Sequence, residues 1–138
     1  MTTMDGQKVA ARARDLVGAR FRPQGRRAEA GLDCVGLVAL AIGAERARGN
    51  YQLRGGSLDA LEKELVEAGL ERVDDARPGD VVVMRSGPRQ LHLGIATGSG
   101  IVHADAGLRR VVERPGPPAW PILCILRLAA KNRIGEAG

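Results

Sequence analysis

Only four cysteine and histidine side chains are available for nucleophilic and base chemistry: Cys34, Cys124, His92 and His103. Cys124 lies in the apolar run Pro121–Leu126, where we expect a buried and inert thiol. Cys34 follows Asp33, which is suited to cap a helix, so the thiol occupies the first turn of that helix. Exposed backbone N–H groups and the helix dipole favour a thiolate there. Cys34 is therefore the candidate nucleophile.

A catalytic thiol needs a base, and both histidines fall in segments with the pattern of strands. Gly98 and Ser99 are typical of a two-residue hairpin turn between those strands. That turn sets a register in which three polar residues share one face: His92, His103 and Asp105. His103 is then the diagonal neighbour of His92, about 7–8 Å away by backbone, and Asp105 lies directly across. Either residue could orient the His92 ring through its second nitrogen, although a slip of one residue would separate His103 from it.

The elements that position these residues follow from the spacing of apolar side chains. Helical spacing predicts an amphipathic helix over Gln7–Val17, and Cys34–Ile42 is apolar on every side, which predicts a buried helix. A third helix is expected between Ser57 and Gly69. Five strands are predicted, over 81–84, 91–97, 101–105, 109–113 and 122–128. Because helices precede strands, we expect one α+β domain over 1–138 with an antiparallel sheet and a frayed tail over 129–138.

The composition limits the classes of partner that this chain is expected to bind. The net charge of +5 favours polyanions such as nucleic acid, anionic lipid or an anionic cell wall. The basic residues are scattered, no helix-turn-helix or zinc-finger spacing is present, and one Phe, one Trp and one Tyr offer little surface for stacking bases, so we expect no nucleic-acid partner. No stretch reaches the roughly 20 apolar residues of a membrane span. The first residues lack a signal-like apolar run, so we expect synthesis in the cytoplasm and delivery by another route.

Several segments match motifs of one known family in order and spacing: Gly31–Val38 around Asp33-Cys34, Arg77–Val82 with its Pro-Gly-Asp turn, Leu91–Ile95 with His92, and Ile101–Ala104 with His103. They resemble the Asp-Cys-Ser-Gly motif, strand entry, histidine strand and third catalytic position of the NlpC-type (NlpC/p60) papain-fold cell-wall cysteine peptidases. The resemblance runs from Ala11 to Leu128. Gly18–Gln24 is similar to a segment of the branch found in phage and gene-transfer-agent clusters.

The resemblance implies a papain-like fold, with the nucleophile helix packed against a five-stranded antiparallel sheet. It implies hydrolysis of amide bonds in peptidoglycan stem peptides through a thioester acyl-enzyme. Cys34, His92 and His103 would be the catalytic residues, and His103 is favoured over Asp105 for orienting the base. No metal or cofactor is expected. Peptidoglycan and phage-like tail proteins are the implied partners, with the cell wall as the place of action.

Departures from the family pattern concern specificity more than chemistry. Val35 stands where the family often has a substrate-contacting Ser, and Phe21 replaces a common Tyr. Asp33 matches the family's substrate-contacting Asp, although a helix cap alone would explain it. Gln24 is a candidate second donor to the oxyanion, beside the Cys34 backbone N–H. Two alternatives therefore stay open: an acyltransferase or amidase of the same fold on another substrate, and a non-catalytic tail component or wall-binding module.

Overall fold

The computed structural model describes residues 5–43 and 57–129, so the predicted frayed tail lies outside the described residues from position 130 onward. The three helices are α1 (Gly6–Asp15), α2 (Cys34–Ile42) and α3 (Leu58–Glu67). Each helix begins after a capping residue whose side chain accepts a hydrogen bond from a backbone N–H of the first turn. The capping residues are Asp5, Asp33 and Ser57 respectively. The cap predicted at Asp33 is thus present, and Ser57 caps the third helix. None of the described helices is long and apolar enough to cross a membrane.

The strands form one large antiparallel sheet and one short pair. They are β1 (Arg26–Arg27), β2 (Gly31–Leu32), β3 (Leu70–Val73), β4 (Val81–Gly87), β5 (Gln90–Ala96), β6 (Gly100–Asp105), β7 (Arg110–Pro115) and β8 (Ile122–Leu128). β1 pairs with β2, and the large sheet has the order β3-β8-β4-β5-β6-β7. The α+β class is confirmed.

The predicted count of five strands in the sheet is wrong because β3 was missed. Its sequence Leu-Glu-Arg-Val buries Leu70 and leaves Glu71 and Arg72 exposed. It pairs with β8 at one edge of the sheet. An edge strand with few buried side chains carries little of the apolar alternation that reveals a strand in a sequence.

The two faces of the sheet have different neighbours. The helices pack on one face and form the main core with Leu91, Leu93 and Ile95 of β5. The opposite face carries a smaller cluster of Val82, Met84, Ala96 and Ile101, against which Trp120 packs. Since Met84 pairs with His92 across β4 and β5, His92 lies on this second face. The predicted division of β5 into a core face and a histidine face is therefore correct.

The hairpin register also agrees with the sequence. Ile95 pairs with Val102 and Ala96 with Ile101, and the Thr97 N–H donates to the Gly100 carbonyl over 2.8 Å. These contacts belong to the register in which His92 and His103 are diagonal neighbours.

The segment before α2 covers the free edge of β7. Hydrogen bonds link Gly18 and Ala19 to Val111, and the Phe21 N–H donates to the Arg109 carbonyl over 2.9 Å. The segment then crosses the start of α2, where the Gly25 carbonyl lies against Gly36. The backbone of the 19–31 segment, between α1 and α2, therefore occupies the space beside Gly36.

We expect Gly36→Ala to destabilise the fold by about 1–3 kcal/mol, because a Cβ at this position overlaps the Gly25 carbonyl oxygen. Urea unfolding measures the change. Gly98→Ala is the matched control, since no heavy atom lies within 4 Å of a Cβ built at Gly98. Equal stabilities of the two variants would show that the 19–31 segment is not packed on α2.

Candidate active site

Cys34 is the first residue of α2 and is almost fully buried, with 4% of its surface exposed. Burial raises the pKa of the Cys34 thiol to about 12, although hydrogen bonds from the backbone at Leu93 and at Cys34 itself act to lower it. The expectation that the helix start favours a thiolate is therefore wrong for this state. Loss of hydration outweighs the dipole and the N–H groups when the sulfur is covered.

The Leu93 contact brings Cys34, the candidate nucleophile, to the strand that carries His92. Leu93 points into the main core, and its backbone acts on the Cys34 sulfur. Asp33, at the N-cap of α2, is close enough to act electrostatically on the His92 ring. Within the part of the chain that the structure describes, no hydrogen bond joins Cys34 to His92.

The two histidine rings form a direct contact. His92 Nε2 lies 3.0 Å from His103 Nδ1, and the rings meet edge to face with centroids 5.1 Å apart. One of the two nitrogens must carry the shared proton, so this contact couples the tautomers of the two rings and holds their mutual orientation. With Nε2 engaged, His92 keeps Nδ1 for exchange of a proton with a nucleophile.

Asp105, the alternative orienting residue, makes no contact with the His92 ring. Its Oδ1 accepts a hydrogen bond from the Leu108 backbone N–H over 3.0 Å. Its charge acts on both histidines from a distance and favours their protonated forms. The geometry thus pairs His92 with His103. The sequence pattern alone did not distinguish His103 from Asp105 as the residue that orients His92.

Burial dominates the electrostatics of the pair. Desolvation, with a contribution from His103, lowers the pKa of His92 to about 4, and desolvation also lowers the pKa of His103. Burial therefore favours the neutral form of the Cys34 thiol and of the His92 ring at pH 7.

Trp120 belongs to the site and was missed in the sequence. Its ring centroid lies 5.1 Å from that of His92 and 5.7 Å from that of His103, edge to face in both cases. The residue lies between β7 and β8 in a segment rich in Pro and Gly, far along the chain from both histidines. The single Trp of the sequence was the only signal available.

Asp33 holds the covering segment to the start of α2. Its Oδ1 accepts hydrogen bonds from the Gly36 N–H over 2.8 Å and from Arg26 Nη1 over 2.9 Å. Its Oδ2 accepts one from the Gln24 backbone N–H over 2.9 Å. Gln24 adopts a positive φ of 59°, which directs this N–H within a tight turn. The carboxylate is thus engaged in the free protein, and its contact with substrate stays a prediction.

The remaining predicted site residues differ in exposure. Gln24 is exposed, whereas Val35 is 2% exposed and packs in the main core. Phe21 packs partly buried against the same core. Substrate contact by Val35 would require α2 to be uncovered, and the roles of Gln24 and Val35 stay predictions.

Because the free thiol is neutral and buried, we expect iodoacetamide to label Cys34 more slowly at pH 7 than an unhindered cysteine. Labelling should accelerate only well above pH 9. The labelling rate is measured by intact mass from pH 6 to 11 on the Cys124→Ala protein, in which Cys34 is the remaining thiol. Labelling of the same protein in urea gives the rate of an unhindered thiol. Rapid labelling of the folded protein at neutral pH would contradict this description.

We expect the free energy of unfolding to decrease as the pH falls from about 6.5 towards 4. In that range the unfolded chain protonates His92 while the folded chain keeps it neutral, so protons favour unfolding. Urea titrations at several pH values measure the effect. His92→Gln should show a shallower dependence, and an unchanged slope would assign the acid sensitivity to other groups.

Comparisons with known proteins support the fold. No family model matches the sequence, and no curated protein is similar enough to match. The structure is similar to the crystal structure of the NlpC/p60 domain of the peptidoglycan hydrolase SagA, with a TM-score of 0.57 and 22% sequence identity. The match covers 80% of this chain and 89% of that one. The expected NlpC-type fold is thereby confirmed.

Proposed function

We propose that this chain is a cysteine peptidase that hydrolyses amide bonds in peptidoglycan stem peptides. The observation that supports this most directly is the 3.0 Å contact between His92 Nε2 and His103 Nδ1. Leu93, the residue after His92 on the same strand, contacts the Cys34 sulfur through its backbone. The strand that carries the candidate base thus also contacts the candidate nucleophile, and a second histidine can orient that base. The similarity in fold to a domain of a peptidoglycan hydrolase supports the choice of substrate.

In the proposed reaction, Cys34 Sγ attacks the carbonyl carbon of the amide while His92 Nδ1 takes the thiol proton. The imidazolium then gives this proton to the leaving amine, and the C–N bond breaks to leave a thioester. Water attacks the thioester, His92 accepts a proton from it, and the carboxylic acid and the thiol are released. The Cys34 backbone N–H, which acts on the sulfur, is the first donor for the oxyanion.

The neutral resting pair determines when the thiolate forms. Since burial keeps the proton on Cys34, transfer to His92 accompanies attack on the substrate. The charges of Asp33 and Asp105 then stabilise the positive charge that arises on His92, and the oxyanion donors stabilise the negative charge on the substrate. Because only 4% of the Cys34 surface is exposed, the chain around the thiol must move or form part of the cleft when substrate binds.

We further propose that the enzyme reaches the wall on a phage-like particle. The support is the similarity of Gly18–Gln24 to the branch found in phage and gene-transfer-agent clusters. Fractionation of the producing cells on a density gradient tests it, with co-migration of the chain and particle proteins as the expected result. Recovery only as a free protein would contradict delivery by particles.

The proposed activity is tested by digestion of purified peptidoglycan and of its isolated stem peptides, analysed by mass spectrometry. We expect new amide-cleavage products with the full chain and none with Cys34→Ala. A well-folded protein that yields no product from walls of several stem-peptide types would contradict the proposal.

The burial of Cys34 favours a second candidate, a wall-binding module without turnover. In that case the chain would sediment with purified walls while leaving every stem peptide intact. An acyltransferase of the same fold would instead require an added amine acceptor, and its product would carry that amine in the mass spectrum.

A further inference from the structure

Four arginines that are separated in the sequence meet at the β7 edge of the sheet. We call them the arginine surface: Arg20, Arg22, Arg109 and Arg110. Arg20 forms an antiparallel bridge with Arg110, and the backbone of Phe21 is bonded to Arg109. All four arginines are exposed.

This surface continues the face that bears the catalytic histidines. Arg110 pairs with Asp105, and Val112 pairs with His103, so Arg110 lies on the His103 face. Phe21 packs against the main core on the other side, which leaves its neighbours Arg20 and Arg22 directed away from that core. Arg20, Arg22 and Arg110 therefore flank the site across Asp105.

The positive charges are not neutralised within the described residues. Like charges opposite each other on neighbouring strands are destabilising, and Arg20 faces Arg110 in this way. No carboxylate among residues 5–43 and 57–129 forms an ion pair with any member of the arginine surface. Asp105 lies opposite Arg110 but accepts its hydrogen bond from Leu108.

Elsewhere in the described chain, several arginines do pair with carboxylates. Arg14, Arg72 and Arg127 pair with Glu113, Glu62 and Asp80. Arg20 and Arg110 have no such ion pair although they face each other, and a bound anion would remove their repulsion.

We infer that the arginine surface binds free carboxylates of the peptidoglycan stem peptide beside the bond that is cleaved. This inference rests on the proposed function and names the part of the substrate that the positive charge recognises. Stem peptides carry several free carboxylates, and guanidinium groups bind carboxylates in a planar, two-point geometry. A location on the histidine face suits a substrate contact better than a separate binding site for nucleic acid.

The test uses full-length protein with Cys34→Ala, so that binding is measured without cleavage. Purified peptidoglycan stripped of phosphate polymers is the probe, and the bound fraction is measured by sedimentation. Arg20→Gln with Arg110→Gln should weaken binding about threefold to tenfold, as expected for two exposed ion pairs. The matched control, Lys8→Gln with Lys63→Gln, removes two exposed positive charges from α1 and α3 and should bind like the parent.

Chemical amidation of the peptidoglycan carboxylates should reduce binding of the parent to the level of the double arginine variant and leave that variant unaffected. Equal binding by the arginine and lysine variants would overturn the inference. So would arginine-dependent binding that prefers duplex DNA or phosphate-bearing walls over stripped peptidoglycan. Urea unfolding of each variant confirms that the fold is retained.

The inference and the proposed activity fail in different ways. With cleaving protein, the arginine variant should raise KM for stem peptides and leave kcat unchanged. Carboxylate-dependent binding without any cleavage product would refute the peptidase proposal while supporting the arginine surface. Cleavage by the arginine variant with an unchanged KM would support the peptidase proposal and refute the arginine surface.

Discussion

Replacement of Cys34 or of His92 by Ala is expected to reduce amide hydrolysis by at least about 10⁴-fold. Loss of Cys34 removes the atom that forms the thioester, and loss of His92 leaves a thiol that burial keeps protonated, with its pKa raised to about 12. Release of a stem-peptide fragment, followed by mass spectrometry over long incubations, measures the loss. The double variant should be no less active than either single one, because the two residues act as a unit.

The chain provides its own matched control in Cys124. This second thiol is also buried, but it lies on β8, opposite Val83, away from both histidines. Cys124→Ala should retain activity, with a modest loss of stability. Hydrolysis that survives Cys34→Ala or disappears with Cys124→Ala would refute the assignment of the nucleophile.

His103 offers a graded version of the same experiment. His103→Ala removes the partner of His92 Nε2 and should lower kcat, whereas His103→Asn keeps a hydrogen-bonding group and should recover part of it. Asp105→Asn should have the smaller effect, since Asp105 acts on the rings only through its charge. An equal loss from both substitutions would favour a role in charge rather than in orientation.

The arrangement of the histidines could be predicted because it depends on short-range rules. A two-residue turn at 98–99 and the alternation of side chains are sufficient to set the diagonal between His92 and His103. The cap at Asp33 is equally local, since the residue and the N–H that it accepts are three positions apart. Such features need no knowledge of the rest of the fold.

The features that were missed depend on contacts between distant segments. Trp120 reaches both histidines only because the connection between β7 and β8 crosses that face of the sheet. The burial of Cys34 likewise depends on a distant segment, since the backbone of Leu93 on β5 contacts its sulfur. The helix start alone predicted a thiolate because its dipole is local, whereas the desolvation that opposes it comes from the whole fold.

The Pro-Gly-Asp turn, expected only as a strand entry, has at its centre a buried ion pair. Asp80 is 1% exposed, and its Oδ1 and Oδ2 accept hydrogen bonds from Arg127 Nε and Nη2 over 2.9 and 2.8 Å. The Arg77 N–H adds a third bond to Oδ2 over 2.7 Å. Gly79, at a φ of 94°, lets the turn lie directly against Gly6 at the start of α1. The ion pair thus joins the start of β4 to β8, and the turn itself contacts the first helix.

We expect Arg127→Met to destabilise the fold by about 3–5 kcal/mol, because it leaves the Asp80 carboxylate buried with only a backbone N–H as partner. Urea unfolding at pH 7 measures the change. Arg72→Met, which removes an exposed ion pair with Glu62 on neighbouring elements, should cost less than about 1 kcal/mol.

The cost of Arg127→Met should be smaller when Asp80 is also replaced by Asn. The double variant removes the uncompensated charge, so its loss of stability should be less than the sum of the two single losses. Additive losses would mean that Arg127 stabilises β8 by packing alone. A coupling of 1 kcal/mol or more, roughly the lower end of what residues in direct contact show, would identify the ion pair as the source.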